Sequence, residues 1–406
     1  MGDFPNTLWL LWQTCMVLNQ AESLLLVSLA AAVLPSLSRL LRLPAPVMEI
    51  LFGVILGKSF LHVQFSGEWL QFLAHLGFLL LMFHAGMEID FGMLLKQSRS
   101  QLSFQLLLFG VTLGLSLLFT LHLKSGMFMA LVLTTTSLGL VMPTIKEMGI
   151  QKSPFGQSIL IAASLADFLT LFGITFFILW RDYGLGWHFI SPLPLFIGFG
   201  ILLWAGRLWV WWNPERAERF LGAQDTEELG VRLSLALLFL FVAVSELVRL
   251  EPVLGAFLGG CVLSFVFREK GQLESKLSAL GFGFLIPIFF INVGVEFDLT
   301  NVLGPGQLQF TLKLLFLAIM VKLVPSLIFT LQRIPLRAAM KAGILLSARL
   351  SLIMAAAEIG LREGLISSAL KDSIILLALL TCLLGPTLFK LLQPANTDRL
   401  DGAVQH

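Results

Sequence analysis

The residue best placed to do chemistry in this sequence is Asp167. It stands in Gly156-Gln-Ser-Ile-Leu-Ile-Ala-Ala-Ser164-Leu-Ala-Asp167-Phe-Leu-Thr170, mid-way along an apolar stretch long enough to cross a bilayer. A carboxyl group taken out of water disfavours its charged form, and a cation bound beside it favours that form. One such group can hold a proton or a monovalent cation but not both well, and that competition is the basis of exchange. The plainer reading makes Asp167 a permanent partner of a buried base, holding helices together. Two bases are available for it, Lys322 and Arg349, both deep in apolar stretches. A basic group at the bilayer centre costs at least ~2.5–3.5 kcal/mol, so such residues usually face a wet cavity or an acid. Lys313 lies nearer a helix end and can snorkel to the surface.

A second feature is Thr134-Thr-Thr136-Ser137-Leu-Gly139, with Pro143 following. Within a membrane helix these residues predict an interruption, since unwound backbone that lines a cavity supplies carbonyls and hydroxyls to replace a cation's water shell. The alternative is a continuous helix whose hydroxyls bond back to carbonyls one turn earlier. The candidate ion or proton site is therefore Asp167 with Thr136, Ser137 and Ser164, and Lys322 and Arg349 are its electrostatic partners. Glu358, Ser347 and Glu88 are candidates for a gate or access path, and Glu49, Glu246 and Asp90 are further acids within or near helix ends. His75 and His84 could sense pH, but packing is the commoner role. Cys15, Cys261 and Cys382 are scattered and have no metal-ligand spacing. No phosphate-cradling glycine loop, metalloenzyme signature or nucleophile elbow is present, which argues against an enzyme and against a cofactor.

These residues need elements to position them. At 57% hydrophobic and 13% charged, the chain lies far from soluble proteins, where about a quarter of residues are charged. The apolar stretches run for about 16 to 25 residues each, the length of helix that crosses roughly 30 Å of hydrocarbon. They predict an all-α polytopic membrane protein of about thirteen helices, near 22–40, 45–60, 69–87, 101–123, 126–148, 156–180, 189–212, 229–249, 252–267, 277–297, 308–331, 337–361 and 367–392. A polar linker, Asn213 to Glu228, follows the seventh, and Leu8 to Leu18 reads as an interfacial segment. Lys and Arg are retained on the cytoplasmic side, so their distribution tests the count. The odd loops and carboxyl tail hold 18 of them and the even loops 6, among the latter Arg181, Arg362 and Lys371. The amino terminus is then outside and the carboxyl terminus inside. Trp204, Trp209, Trp211 and Trp212 flank the linker as interfacial anchors. The formal charge of +2 carries no basic block that would suit nucleic acid. Two halves of about six helices around helix seven pair helix five with helix twelve, where Ser347-Ala-Arg349-Leu350-Ser351 stands, and predict an inverted repeat.

Leu43-Pro-Ala-Pro-Val-Met-Glu-Ile-Leu-Phe-Gly53-Val-Ile-Leu-Gly57 and Leu76-Gly-Phe-Leu-Leu-Leu-Met-Phe-His-Ala-Gly-Met-Glu88-Ile-Asp90, with Leu254 to Gly260 and Ile288 to Gly294 further on, resemble the monovalent cation:proton antiporter superfamily. The branch is that of glutathione-gated potassium efflux systems and bacterial sodium/proton antiporters. The resemblance implies that helices five and twelve cross as broken helices. It groups scaffold helices at 22–100 and 229–307 for dimerisation, core helices at 101–188 and 308–393, a linker at 189–228, an extracellular or periplasmic segment at 1–21 and a cytoplasmic tail at 394–406. It also implies a homodimer in a bacterial inner membrane whose core moves like an elevator. Asp167 matches the family's ion-binding aspartate and Lys322 the basic residue of helix eleven. Ala166 stands where relatives place Asp, Asn or Gln, so a lone carboxylate points to electroneutral exchange of Na+ or K+ for H+. Leu350 departs from an Arg-Gly-Glu-like pattern at the twelfth-helix break. No nucleotide-binding domain is expected in cis, which leaves regulation to a separate subunit. A cation channel and a solute symporter of the same architecture are the alternatives.

Overall fold

An amide left unpaired in hydrocarbon costs several kcal/mol, so an apolar chain of this kind satisfies its backbone within helices. The computed structural model describes residues 17–41, 43–65, 68–89, 91–92, 98–121, 126–184, 193–212, 228–248, 250–267, 271–304 and 306–392. Nearly all of these are helical; the one strand pairing among them is two residues long, Val17–Leu18 running parallel to Gln64–Phe65. Most of the amino-terminal segment, the linker up to Glu228 and the carboxyl tail lie outside the described residues, as do Asp90 and several loop cations.

The helices are α1 (Gln20–Leu41), α2 (Ala45–Leu56), α3 (Trp69–Glu88), α4 (Arg99–Thr120), α5a (Gly126–Thr134), α5b (Leu138–Glu147), α6 (Pro154–Tyr183) and α7 (Leu193–Trp212). Then come α8 (Leu229–Leu247), α9 (Pro252–Val266), and α10, which runs Gly271–Leu280, passes a π turn at Gly281–Leu285 and ends as Ile286–Glu296. The last are α11 (Gln307–Ser326), which tightens to a 3-10 turn over Leu327–Gln332, α12a (Leu336–Leu346), α12b (Ser351–Arg362) and α13 (Ser368–Leu391). Among the described residues nine spans are long and apolar enough to cross a membrane, α12a and α12b make one more bent by 46°, and three shorter apolar helices lie in α2, α7 and α9. The helices lie near the stretches read from the sequence, nine or ten of those described being long and apolar enough to span; α10 differs most, because its first turns carry Glu274 and Lys276 and so escape an apolar count.

Starts are set by local chemistry. Ser98, Ser153 and Ser367 turn their hydroxyls onto amides of the first turns of α4, α6 and α13, which satisfies donors that have no intrahelical partner. Proline opens α6 and α9, where its missing N–H is no loss.

The chain divides into two compact units, one of residues 1–78 and 279–308 and the other of 79–278 and 309–406. In the first, α2 packs on the last part of α10 through glycines. A Cβ on Gly53 would come within 2.1 Å of the Ile291 carbonyl oxygen, and one on Gly294 within 2.1 Å of the Ile50 carbonyl oxygen. Backbones approach this closely only where both faces lack side chains. Gly294→Val is therefore expected to separate the two helices; detergent-solubilised variant should melt several degrees lower or give no monodisperse peak on size exclusion.

In the second unit, Leu138, Val141 and Ile145 of α5b, Ile159, Leu160 and Ala163 of α6, Ala339, Ala342 and Leu345 of α12a and Phe389 of α13 form one buried cluster. The faces of these helices therefore meet each other, and the termini at the breaks are fixed against α6 and α11.

Candidate functional site

The interruption in helix five falls at Thr135, Thr136 and Ser137, between α5a and α5b. Pro143 is not its cause, since it is accommodated inside α5b. The hydroxyls of Thr134 and Thr135 do bond back, to Leu131 O and Val132 O, each at 2.7 Å, so the local alternative is realised at these two residues while the helix still breaks.

A break exposes carbonyls at the end of one half-helix and amides at the start of the next, and in a dry interior each needs a partner. Arg349 and Lys322 take the carbonyls. Arg349 Nε donates to Thr135 O at 3.0 Å and Nη2 to Leu133 O at 2.8 Å, while Lys322 Nζ donates to Thr134 O at 2.6 Å. Arg349 Nη2 also reaches Ala318 O on α11 at 2.8 Å. Lys322 makes a second bond, to Thr136 Oγ1 at 2.7 Å. Two cations thus close the negative end of α5a, where the helix dipole favours them. At the positive end, Leu138 N–H donates to Asp167 Oδ2 at 3.3 Å. The second break joins the first directly, because Ser137 N–H donates to Ala348 O at 3.0 Å.

Asp167 is 8% exposed, and its Oδ1 is buried without a hydrogen-bond partner. No cation lies within ion-pair distance of it among the described residues; Lys322 acts on it only through space. The carboxylate thus bonds to the Leu138 amide through Oδ2 and lies against the Thr136 amide, while Oδ1 completes no hydrogen bond. Ser137 and Ser164 are buried, and the Ser137 hydroxyl does not cap α5b.

The candidate gate residues are not all gathered here. Ser347 spends its hydroxyl on Ile344 O at 2.6 Å. Glu358 pairs with Lys371 at 2.8 Å, and Lys371, read from the sequence as a loop cation, is 4% exposed in the first turn of α13. Glu88 lies over the first turn of α5b, where a Cβ on Gly139 would meet its carboxylate oxygen at 3.3 Å. His84 is buried, with Nε2 3.2 Å from Leu277 O, a packing position.

Sequence reasoning missed Gln105 of α4, which shares a cavity with Lys322, and Thr170 of α6; Asp372 of α13, also unread, is buried as well. Thr170 Oγ1 stands 3.1 Å from Thr134 Oγ1. The signal for Gln105 was present: the buried residues of α4 are Gln105, Leu108, Thr112, Ser116 and Thr120, a mostly polar stripe at helical spacing.

A helix broken within an apolar span, with a carboxylate at one inner end and two bases at the other, belongs to an integral membrane protein. Its family follows from comparison: residues 25–392 match the model of the family described as sodium/hydrogen exchanger, transmembrane, and the chain belongs to that family. This is a family of transporters. The chain is 33% identical over 394 residues to YjbQ of Bacillus subtilis (strain 168), covering 92% of this chain. It spans 63% of that relative's length. It is 24% identical over 379 residues to the Na+/H+-K+ antiporter GerN of Bacillus cereus, covering 90% of this chain and 94% of GerN. The structure of the sodium proton antiporter MjNhaP1 from Methanocaldococcus jannaschii superposes with a TM-score of 0.65 at 13% identity, over 91% of this chain and 96% of that one. That likeness is one of fold.

Proposed function

We propose that this protein is a secondary antiporter exchanging Na+ or K+ for H+ by alternating access, with Asp167 as the group that carries either ion. The observation that supports this most is the Asp167 carboxylate itself: buried, fixed at one oxygen by the Leu138 amide, and unpartnered at Oδ1. A permanent structural acid would have both oxygens engaged. Ser137 and Ser164 supply further oxygens, and Thr136, held by Lys322, fixes the shape of the site. Lys322 and Arg349 keep the break from collapsing when the carboxylate changes its load. Names of relatives support the chemistry, since one is a Na+/H+-K+ antiporter.

Because one carboxylate alternates between a proton and a monovalent cation, each loaded state has the same charge and the exchange is electroneutral, one for one. The thirteen segments cross the membrane with the amino terminus outside and the carboxyl terminus in the cytoplasm of a bacterial cell. Core helices α4–α6 and α11–α13 slide like an elevator against a scaffold that pairs two copies. A separate subunit supplies regulation. Glu358 and Glu88 lie on the access paths to the site.

Purified protein in liposomes containing a pH dye tests this. Adding Na+ or K+ outside should move protons, and the rate should be the same with and without a potential set by an ionophore that does not carry the ion under test. No proton movement with Na+, K+ or Li+ overturns the function; a strong voltage dependence overturns electroneutrality alone.

A further inference from the structure

Gln105 of α4 is 3% exposed. Its Nε2 donates to Ser158 O at 3.2 Å and to Ser158 Oγ at 2.9 Å. The first of these bonds goes to an acceptor that cannot donate, which fixes the other end of the amide as the oxygen. That oxygen, Oε1, is buried with no hydrogen-bond partner. Lys322 presents the complementary deficit. An ammonium has three N–H groups, and its bonds go to two acceptors, Thr134 O and Thr136 Oγ1. Gln105 and Lys322 line the same cavity, of about 20 Å3, whose wall also includes Thr112, Thr136, Ala162 and Ala166.

An acceptor without a donor and a donor with a bond to spare, facing one small space whose wall is otherwise the hydroxyls of Thr112 and Thr136 and apolar side chains, among them Leu108, Phe109 and Leu346, are what a bridging water joins. The volume suits one water, which needs roughly 10–15 Å3 of such room, and not a chain of them. A second cation is disfavoured there, because the wall already carries the Lys322 ammonium. We propose that this cavity is a hydration site, in which a water accepts from Lys322 Nζ and donates to Gln105 Oε1, making Gln105 a positioning residue for the lysine that holds the end of α5a. Ala166, with only a methyl, leaves the room for it beside the carrier residue. The proposal rests on the exchange reading above for its effect on transport, but the water itself does not depend on that reading.

Lys322 faces Asp167 from α6 and Arg349 from the α12 break; the other residues of the cavity wall are uncharged. Changing Gln105 therefore changes how well the ammonium is held without touching either charge. The test is the pH profile of cation-driven proton exchange in liposomes for wild type, Gln105→Leu, Gln105→Glu and Ser158→Ala, together with an experimental density map of the wild type. Gln105→Leu removes the acceptor and should move the alkaline limb to lower pH by about half a unit or more. Gln105→Glu keeps an acceptor, adds negative charge and should move that limb the other way. Ser158→Ala loosens the amide's outer anchor while leaving Oε1 in place, and its profile should match wild type. The map should contain a solvent peak within hydrogen-bond distance of both Gln105 Oε1 and Lys322 Nζ.

Shifts of the same sign for Leu and Glu, no shift in either, or a map with the two atoms bonded to each other or to other groups and no solvent between them, overturn the proposal. A wild type that exchanges nothing overturns the proposed function instead, and the solvent peak then decides the hydration site by itself.

Discussion

Asp167→Asn is expected to leave a folded protein that moves no protons in response to Na+ or K+. The amide oxygen of asparagine can still accept from the Leu138 N–H, as Asp167 Oδ2 does at 3.3 Å, so the start of α5b stays capped. What is lost is the ability to alternate between a neutral protonated group and a charged one that attracts a cation. Transport should fall to the rate of empty liposomes, a loss of 100-fold or more being ordinary when the group that carries the ion is removed, whereas the size-exclusion profile should match wild type; we take ~100-fold as equivalent to about 2.7 kcal/mol. Exchange at a rate near wild type would remove Asp167 from the mechanism.

Arg349→Leu is expected to fail in the opposite way, by losing the fold before function can be asked about. Arg349 is fully buried, at 0% exposure, and its guanidinium satisfies the carbonyls of Leu133, Thr135 and Ala318. A buried acceptor left without a donor costs about 1–3 kcal/mol, so three of them amount to a large part of a stability that is typically about 5–15 kcal/mol. Little monodisperse protein should be recovered. Arg349→Lys keeps the charge but has a single ammonium in place of a planar fork, and should be recovered in reduced amount with a lower melting temperature. Normal yield and melting of the leucine variant would mean that the end of α5a is held by Lys322 without help.

The contrast between the two residues bears on what was legible beforehand. Spans were legible because the bilayer sets their length, and the placement of α1 to α13 needed only apolar stretches and their boundaries. The interruption in helix five was legible from Thr134 to Ser137, while Pro143 takes no part in it, since proline's missing N–H is absorbed within α5b. That Asp167, Lys322 and Arg349 are buried was legible from their places deep in apolar stretches. Their partners were not. A buried cation suggests an acid, yet Arg349 and Lys322 spend their hydrogen bonds mainly on backbone carbonyls. Every residue carries a carbonyl, so side-chain identity gives no sign of which ones are exposed by a break. Lys371 misled for a related reason: its place just before an apolar stretch suits a loop, whereas its ion pair with Glu358 lets it sit buried in the first turn of α13. Gln105 went unread although it starts a polar stripe with Thr112, Ser116 and Thr120 along one face of α4, because taken singly one amide in a long apolar helix is common.

Two further features show how the fold limits what the site can do. The joint between the breaks, Ser137 N–H to Ala348 O at 3.0 Å, couples the two half-helix pairs through backbone alone, so among substitutions only Ser137→Pro, which deletes the N–H, removes it directly. The start of α12b, by contrast, has no side-chain cap at Leu350, where the start of α5b has Asp167.

The central claim, that a cation displaces a proton from Asp167, is tested most directly by proton release from purified protein in weakly buffered detergent solution. Adding Na+ or K+ to wild type should release about one proton per chain in a saturable manner, as competition for a single carboxylate requires, and Asp167→Asn should release none. Absence of release from wild type at any pH where the protein is folded, or an equal release from the asparagine variant, would contradict it.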